Sequence, residues 1–283
     1  MKYLKLLRIQ QWYKNLLVFL ALIFSGSLLD KGAIINALLA FASFCALSSA
    51  TYVINDLADK NKDRVHPEKC NRPIASGRVG TIEAFLIIFL LTIIGFGIAV
   101  FLPRTFLYAA LAYFTLSQLY TAWLKQEEFA DVLTIAVNFV IRAMAGAFAI
   151  YVWPSPWLIL GVFFLALFLV FGKRRSELVL LKEQAQNQRR TLSTYTPEII
   201  SQLNSLATTS LVISYTLYVF FGQHQLLYIT LPIALYTIFR YEGFIAIGNK
   251  ISRHPEYVFT DWRMMTAMIV WGTLTIAILY FFP

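Results

Sequence analysis

Residues 33–63 read AIINALLAFASFCALSSATYVINDLADKNKD, an apolar run that ends in a cluster of acidic residues. The first part, Ala33–Ile54, has no charged side chain and is as long as the roughly 20 residues that a helix needs to cross a bilayer. Asn55 and Asp56 begin the second part, so polar groups start where the apolar run stops. The stretch predicts a membrane-spanning helix followed by an acidic connection.

The rest of the chain repeats this alternation of apolar runs and polar connections. Hydrophobic residues make up 59% of the 283 residues and charged residues only 14%, a more apolar composition than that of ordinary soluble domains. We therefore predict an all-α integral membrane protein with one domain over residues 1–283 and nine transmembrane helices. The predicted spans are Asn15–Leu29, Ala33–Ile54, Thr81–Phe101, Thr105–Leu124, Phe129–Tyr151, Pro156–Gly172, Ser205–Phe221, Leu226–Arg240 and Trp262–Phe282.

Charged residues lie almost entirely on one side of these spans. With nine spans, 21 of the 24 Lys and Arg residues and 14 of the 15 Asp and Glu residues fall on the side of the N-terminus. Because basic residues favour the cytoplasmic side, the N-terminus and the connections 55–80 and 173–204 are predicted to be cytoplasmic, in a multi-pass protein of the cell (inner) membrane. Long loops often carry function, so both connections are candidate active-site loops.

The net charge of +9 identifies a class of partner. The basic residues are spread over connections between membrane spans, which indicates anionic lipid headgroups or phosphorylated substrates. We expect no nucleic-acid partner, and the sequence does not indicate an oligomeric state.

The connection 55–80 begins with four oxygen-bearing side chains at helical spacing. Asn55, Asp59 and Asp63 recur every four residues and Asp56 precedes Asp59 by three, so a continuing helix would bring them to one face. Like charges at this spacing repel each other and need compensation. Mg²⁺ bound by these four residues, with water and a diphosphate completing its coordination, would provide it. The alternative is a solvated helix end that neighbouring Lys and Arg residues neutralise.

Basic side chains follow in the same connection. His66, Lys69 and Arg72 can donate hydrogen bonds to phosphate oxygens, and the prolines and the glycine among them favour a defined loop. A metal site beside phosphate-binding groups predicts diphosphate chemistry.

The motif NDLADKNKD at 55–63 matches the NDxxDxxxD pattern of the UbiA superfamily of intramembrane prenyltransferases. The chain resembles one branch in particular, the decaprenyl-phosphate phosphoribosyltransferases. That resemblance also rests on RIQQWYKNLLVF at 8–19, YTAWLK at 120–125, FVIRAMAGA at 139–147 and GKRRSEL at 172–178. It implies a UbiA-type bundle with cytoplasmic active-site loops, Mg²⁺ as cofactor, and a role in cell-wall biogenesis.

The chain departs from the pattern of this branch at two places. Ile9 stands where we expect proline, and Cys70 and Asn71 stand where the branch usually has a basic residue first. The second departure leaves the chain without one basic residue of that pattern.

Three further candidates follow the sixth span. Lys173 is four residues and Arg174 three residues before Glu177, so a helix would place both cations beside one carboxylate. An ordinary basic flank of a membrane span is the alternative. The resemblance favours a functional role, because many superfamily members have a second aspartate-rich motif here, and its replacement by Lys-Arg-Arg-x-Glu suggests an additional phosphate.

Arg142 is the one ionisable residue predicted well inside a span, where a charge is costly and normally faces a polar cavity. We predict a phosphate ligand, with a structural bond to Asp131 or to a carbonyl as the alternative. The resemblance implies phosphate-binding roles for Lys125 and Lys14 as well, although either lysine could simply anchor its span at the interface.

Two reactions fit the metal chemistry, because prenyl diphosphates and phosphoribosyl diphosphate both lose diphosphate from an activated carbon. A ribose donor also carries a 5-phosphate, for which Lys69, Arg72, Lys173 and Arg174 could form a second pocket. We therefore predict transfer of 5-phosphoribose to a polyprenyl phosphate. The alternative is prenylation of an aromatic or other small acceptor. Transport is disfavoured, because transporters gather polar groups near the membrane midplane.

Overall fold

The computed structural model describes residues 2–66, 69–181, 196–222 and 224–282, and within these ranges it has helices and turns but no strand. The prediction of an all-α protein is thus confirmed. Five 3₁₀ helices, Ile9–Phe19, Lys69–Asn71, Leu124–Gln126, Gln225–Thr230 and Pro255–Thr260, join the α-helices. The α-helices are α1 (Lys2–Leu6), α2 (Leu20–Phe24), α3 (Lys31–Ala58), α4 (Lys60–Arg64), α5 (Thr81–Val100), α6 (Arg104–Ala122), α7 (Ala130–Ala149), α8 (Pro156–Leu181), α9 (Pro197–Phe221), α10 (Leu231–Ala246), α11 (Lys250–Arg253) and α12 (Trp262–Phe281).

Each predicted span overlaps a helix in the described part of the chain. Six helices, namely α3, α5, α7, α8, α9 and α12, are long and apolar enough to cross a bilayer. The first predicted span corresponds to the shorter apolar stretch Ile9–Phe24. Helix α9 begins at Pro197, before the predicted start of its span, because the Thr196 side chain caps it and proline suits its first turn. The total of nine spans stays a prediction.

Apolar side chains on the outside of these helices agree with a lipid environment. On α5, Phe89 is 62% exposed and its neighbours Leu90, Ile93 and Ile94 are also exposed. A continuous apolar surface of this kind is rare on soluble monomers and normal for a helix that faces hydrocarbon.

The chain divides into two compact units, of which the first comprises Met1–Lys125 and Ile141–Pro154. Its core forms where α3 packs against α5 and α6, with Phe44 and Phe106 completely buried. Gly146 on α7 lies so close to the chain at Val18 that a Cβ atom there would be 1.9 Å from the Val18 carbonyl oxygen. Close backbone contact thus joins the first apolar stretch to this part of α7.

The second unit comprises Gln126–Val140 and Ser155–Pro283. Helices α8 and α9 pack along each other, and the rings of Phe168 and Tyr241 lie 5.3 Å apart. Helix α8 continues past Gly172, so Lys173 and Glu177 lie on a helix. The middle of the predicted loop 173–204, residues 182–195, lies outside the described residues.

Candidate active site

The acidic motif lies at the junction of α3 and α4 in the first unit. Helix α3 ends at Ala58 and α4 begins at Lys60, so only Asp59 interrupts them. The backbone N–H groups of Asp59 and Asp63 still bond to carbonyl oxygens four residues earlier, at 2.9 and 2.8 Å. This near-continuity keeps the helical spacing that the sequence predicts. Asp56 and Asp63 are buried, with 2% and 4% of their surface exposed, whereas the Asp59 side chain is 20% exposed.

Arg72 joins two of these carboxylates. Its Nη1 atom donates to Asp56 Oδ1 at 3.1 Å and to Asp63 Oδ2 at 2.7 Å. The guanidinium is carried by a compact turn in which the Ser76 N–H bonds to the Arg72 carbonyl and Gly77 takes the left-handed conformation, with φ of 76°. The turn thus places the Arg72 guanidinium beside acidic residues that precede it in the chain.

Lys125 neutralises the third carboxylate. Its Nζ atom donates to Asp59 Oδ1 and Oδ2 at 2.7 and 2.9 Å and to Asn55 Oδ1 at 3.4 Å. Lys125 is on the 3₁₀ helix Leu124–Gln126 and is 66 residues from Asp59 in sequence. The structure therefore brings this lysine, which the sequence predicts from the YTAWLK segment, to the acidic motif.

Arg8 is a site residue that sequence reasoning missed. Its guanidinium donates to the buried Asp56 and lies 5.0 Å from the centre of the Tyr52 ring. Arg8 opens the segment RIQQWYKNLLVF, which supports the family resemblance without indicating a carboxylate partner. A basic residue in a motif shared with diphosphate-using enzymes was the available signal.

The donor set suits Mg²⁺ by its chemistry. Carboxylate and amide oxygens from Asn55, Asp56, Asp59 and Asp63 are the ligands that this ion prefers. Within the described residues, no group of three or more His, Cys, Asp or Glu side chains has the arrangement of a metal centre. Arg8, Arg72 and Lys125 instead balance three carboxylates with three positive charges. The same cations are thus adjacent to any phosphate group that approaches these acids.

His66, Lys69 and Lys14 also lie in the first unit. The Lys69 backbone N–H donates to His66 Nδ1 at 3.3 Å, so the two predicted residues belong to one local turn. Lys14 Nζ lies 5.9 Å from the centre of the Tyr13 ring.

Arg142 is buried among neutral polar groups. Its Nε donates to Asn15 Oδ1 and its Nη2 to the Tyr113 hydroxyl, both at 2.9 Å. Its guanidinium also lies 4.6 Å from the centre of the Tyr113 ring. These contacts support a structural role with partners that the sequence did not predict. Contact with a phosphate stays a prediction.

The second unit holds the remaining predicted residues. Lys173 Nζ is 4.0 Å from Glu177 Oε1, as helical spacing predicts, and its side chain is 41% exposed. Arg174 is 3% exposed and forms a buried ion pair with Asp131. Arg175 donates to Glu242 at 2.9 Å, and Asn204 donates to both oxygens of the same carboxylate. Lys173 is thus more accessible to a ligand than Arg174.

Comparison with known proteins identifies the family and the fold of the chain. The model of the UbiA prenyltransferase family matches residues 16–260. A decaprenyl-phosphate phosphoribosyltransferase from Corynebacterium glutamicum is 29% identical, with 99% of this chain and 87% of the relative aligned. One from Mycolicibacterium smegmatis is 34% identical, over 77% of this chain and 70% of the relative. The fold matches a solved UbiA homologue from Archaeoglobus fulgidus bound to DMAPP and Mg²⁺, with a TM-score of 0.76, 21% identity, and coverage of 98% of this chain and 100% of that structure.

Proposed function

The chain belongs to the UbiA prenyltransferase family, and from this membership we propose that it transfers 5-phosphoribose from phosphoribosyl diphosphate to a polyprenyl phosphate, releasing diphosphate. The similarity to relatives named decaprenyl-phosphate phosphoribosyltransferase, over most of the chain, carries the proposal. It treats residues 1–283 as one transmembrane domain whose active-site loops, 55–80 and 173–204, face the cytoplasm from the inner membrane.

Asn55, Asp56, Asp59 and Asp63 would hold Mg²⁺ in this reaction. When bound there, the ion would offset the negative charge that develops on the departing diphosphate. The bonds from Arg72 to Asp56 and Asp63 support the proposal, because two of the four proposed oxygen ligands therefore lie close together.

Basic residues of the first unit would bind the phosphate oxygens. Arg72 and Lys125 already lie against the acidic residues, and His66 and Lys69 belong to the connection that carries Arg72. A guanidinium has five N–H donors in a planar fork, so Arg72 can hold a carboxylate and a phosphate together. Lys14 and Arg142 complete the proposed phosphate-binding set of this unit.

The second unit has candidate phosphate ligands of its own. Lys173 is the stronger candidate there, because its side chain is 41% exposed, whereas that of Arg174 is only 3% exposed. Arg174 would act chiefly through its buried pair with Asp131, which fixes the helix that carries Lys173. Glu177 would orient the lysine.

The acceptor needs little activation. The phosphate of a polyprenyl phosphate is ionised at neutral pH, so its oxygen can attack C1 of the ribose without a strong base. The bond from C1 to the diphosphate oxygen breaks as the new C1–O bond forms, through an oxocarbenium-like transition state. The products are polyprenyl-phosphoribose 5-phosphate and diphosphate.

Purified protein incubated with Mg²⁺, labelled phosphoribosyl diphosphate and decaprenyl or undecaprenyl phosphate tests this proposal. We expect a labelled lipid that forms only when the metal and both substrates are present. A parallel reaction contains dimethylallyl or geranyl diphosphate and an aromatic acid. Prenylation in that reaction, together with no labelled lipid in the first, would reject phosphoribosyl transfer in favour of the UbiA-type alternative.

A further inference from the structure

The N-terminal segment, Lys2–Arg8, is fixed to α3 and α5 at several points, one of which is the acidic site. Lys2 Nζ and the Tyr3 hydroxyl donate to Glu83 Oε1 at 3.1 and 2.7 Å. The Ser49 hydroxyl donates to the Leu7 carbonyl at 2.9 Å, and Arg8 pairs with Asp56. Polar contacts therefore hold both ends of this short segment.

Leu6 lies between these polar contacts and is completely buried. It belongs to an apolar cluster with Val53, Ile74, Val79 and Ala84. Val53 is on α3 and Ala84 is on α5, whereas Ile74 and Val79 belong to the turn that follows Arg72. Leu6 thus belongs to one apolar cluster with the turn 71–79 and with helices α3 and α5.

The turn depends on this cluster for its position. Ile74 is 0% and Val79 1% exposed, and the Val79 N–H bonds to the Pro73 carbonyl at 3.0 Å, which closes the turn. Arg72 directly precedes Pro73, so its backbone moves with the cluster. Removing Leu6 would leave a cavity in the cluster that contains Ile74 and Val79, and this cavity would allow the turn to shift.

The backbone at Arg8 supports a fixed path for the segment. Arg8 has φ of 49° and ψ of 48°, a left-handed conformation that is costly for residues with a side chain. Such a conformation persists where the surrounding contacts over-determine it. The neighbouring contacts are the Ser49 bond to Leu7 and a bond of 3.1 Å from the Trp12 indole N–H to the Ser49 hydroxyl.

We propose that Leu6 is a positioning residue for diphosphate binding: it holds the turn 71–79 so that Arg72 reaches the acidic motif and the diphosphate together. The inference rests on the proposed function only in taking Arg72 as a diphosphate ligand. Both phosphoribosyl and prenyl diphosphates would use this contact.

The test measures binding of inorganic pyrophosphate with Mg²⁺ to the full-length protein by calorimetry, for Leu6→Ala, Leu6→Met and Leu4→Ala. Leu4 is the matched control, because it lies on the same segment but is 58% exposed. Small misplacements of a binding group can cost up to about 100-fold. We expect pyrophosphate affinity about 10-fold to 100-fold weaker in Leu6→Ala, within about 3-fold of wild type in Leu6→Met, and unchanged in Leu4→Ala.

Amide hydrogen exchange provides a second readout. A positioning role predicts faster exchange in Leu6→Ala that is concentrated in residues 71–79, whereas general destabilisation would accelerate exchange throughout the first unit. Wild-type pyrophosphate affinity in Leu6→Ala, or in Leu6→Val if the alanine variant fails to fold, would overturn the inference. Because pyrophosphate is the probe, weaker binding would support the positioning role even if no phosphoribose reached a lipid.

Discussion

At the scale of single residues, the acidic site places two carboxylates where water solvates their charge poorly. Asp56 and Asp63 are almost completely buried, and Arg8 and Arg72 lie within bonding distance of them. A buried charge without a partner costs several kcal/mol, on the order of the stability of a whole domain. The proposed binding of Mg²⁺ and the stability of the fold therefore depend on the same side chains.

Neutralising one carboxylate at a time tests the metal assignment. Asp59→Asn and Asp63→Asn keep the size of the side chain but remove a charged oxygen ligand, so we expect Mg²⁺-dependent turnover to fall by at least about 100-fold. Asp30→Asn is the control, because Asp30 caps the start of α3 and asparagine caps almost as well. Near-normal turnover in both site variants, measured on folded protein, would refute the metal site.

Two substitutions of Arg72 distinguish the effect of its charge from the effect of its planar shape. Arg72→Lys keeps one positive charge but loses the planar fork, so we expect the protein to fold and to bind pyrophosphate about 10-fold more weakly. Arg72→Ala removes the charge next to two buried carboxylates. Breaking a buried pair costs about 3–5 kcal/mol, and the low end applies because the Arg72 side chain is 27% exposed. Thermal unfolding in detergent measures the stability loss. Equal pyrophosphate affinity for wild type and Arg72→Lys would contradict a role for the planar fork of donors.

The sequence identified the acidic residues because helical spacing and a specific motif both depend on neighbours in the chain. Contacts between segments that are distant in sequence were harder to predict. Lys125 was found only through the family resemblance, and Arg8 was missed because its contact with Asp56 depends on how the N-terminal segment folds back. The Arg174 pair with Asp131 joins two helices that the sequence treated separately. The bonds from Arg142 to Asn15 and Tyr113 also join distant segments, and its contact with a phosphate stays a prediction.

At the scale of helices, the sequence predicts well that a helix is present and where it lies along the chain. The reason is that the length of an apolar run depends only on neighbouring residues. Boundaries differ where local chemistry decides them, as at the Thr196 cap of α9. The sequence also does not predict where two helices approach closely, since a glycine inside an apolar run has no distinguishing pattern. Only the structure shows that Gly146 contacts the backbone of Val18.

A pair of glycine substitutions measures that contact. Gly146→Ala would place Cβ 1.9 Å from a backbone oxygen that cannot move as a side chain can, so we expect a loss at or above the about 1–3 kcal/mol typical of overpacking. Gly97→Ala in α5 is the matched control, because no atom lies within 4 Å of the position that its Cβ would take. Alanine there should be neutral or stabilising by about 0.5–1 kcal/mol through helix propensity. Equal melting temperatures for the two variants would show that the close approach is absent.

The start of α12 combines a cap with an ion pair. Asp261 accepts from the Met264 N–H at 2.8 Å and from Arg240 Nε at 2.7 Å, and the bond from Arg240 holds the pKa of Asp261 below its ordinary value. Asp261→Asn keeps the cap and loses the pair, so we expect a loss below about 1 kcal/mol.

Because the pKa of Asp261 is lowered by folding, the pair stabilises the protein fully above the unfolded pKa of about 3.9 and loses this effect as the pH falls through the folded pKa. The difference in melting temperature between wild type and Asp261→Asn should therefore be constant from about pH 5 to 8, and shrink below about pH 4. A difference that grows on acidification would contradict this assignment.

At the scale of the whole molecule, the one-sided distribution of charge makes a prediction that single helices cannot make. The nine predicted spans would place the N-terminus and the acidic motif on the cytoplasmic side, and an even number would place both ends of the chain on the same side. Single cysteines in a Cys45→Ala, Cys70→Ser background test this orientation. Asn61 and Glu198 are exposed on the predicted inner side, and Leu29 and Trp153 on the predicted outer side.

A membrane-impermeant maleimide added to intact cells should label cysteine at positions 29 and 153 and leave positions 61 and 198 unlabelled until the membrane is opened. The physical reason is that Lys and Arg near span ends resist translocation, so the basic connection 55–80 stays inside and the weakly charged turns cross. Labelling of position 61 from outside would place the acidic motif away from cytoplasmic phosphoribosyl diphosphate, and the proposed reaction would lose its donor. Labelling of position 198 alone from outside would show that the number of spans between the two candidate loops differs from the prediction. The acidic motif would still lie on the cytoplasmic side.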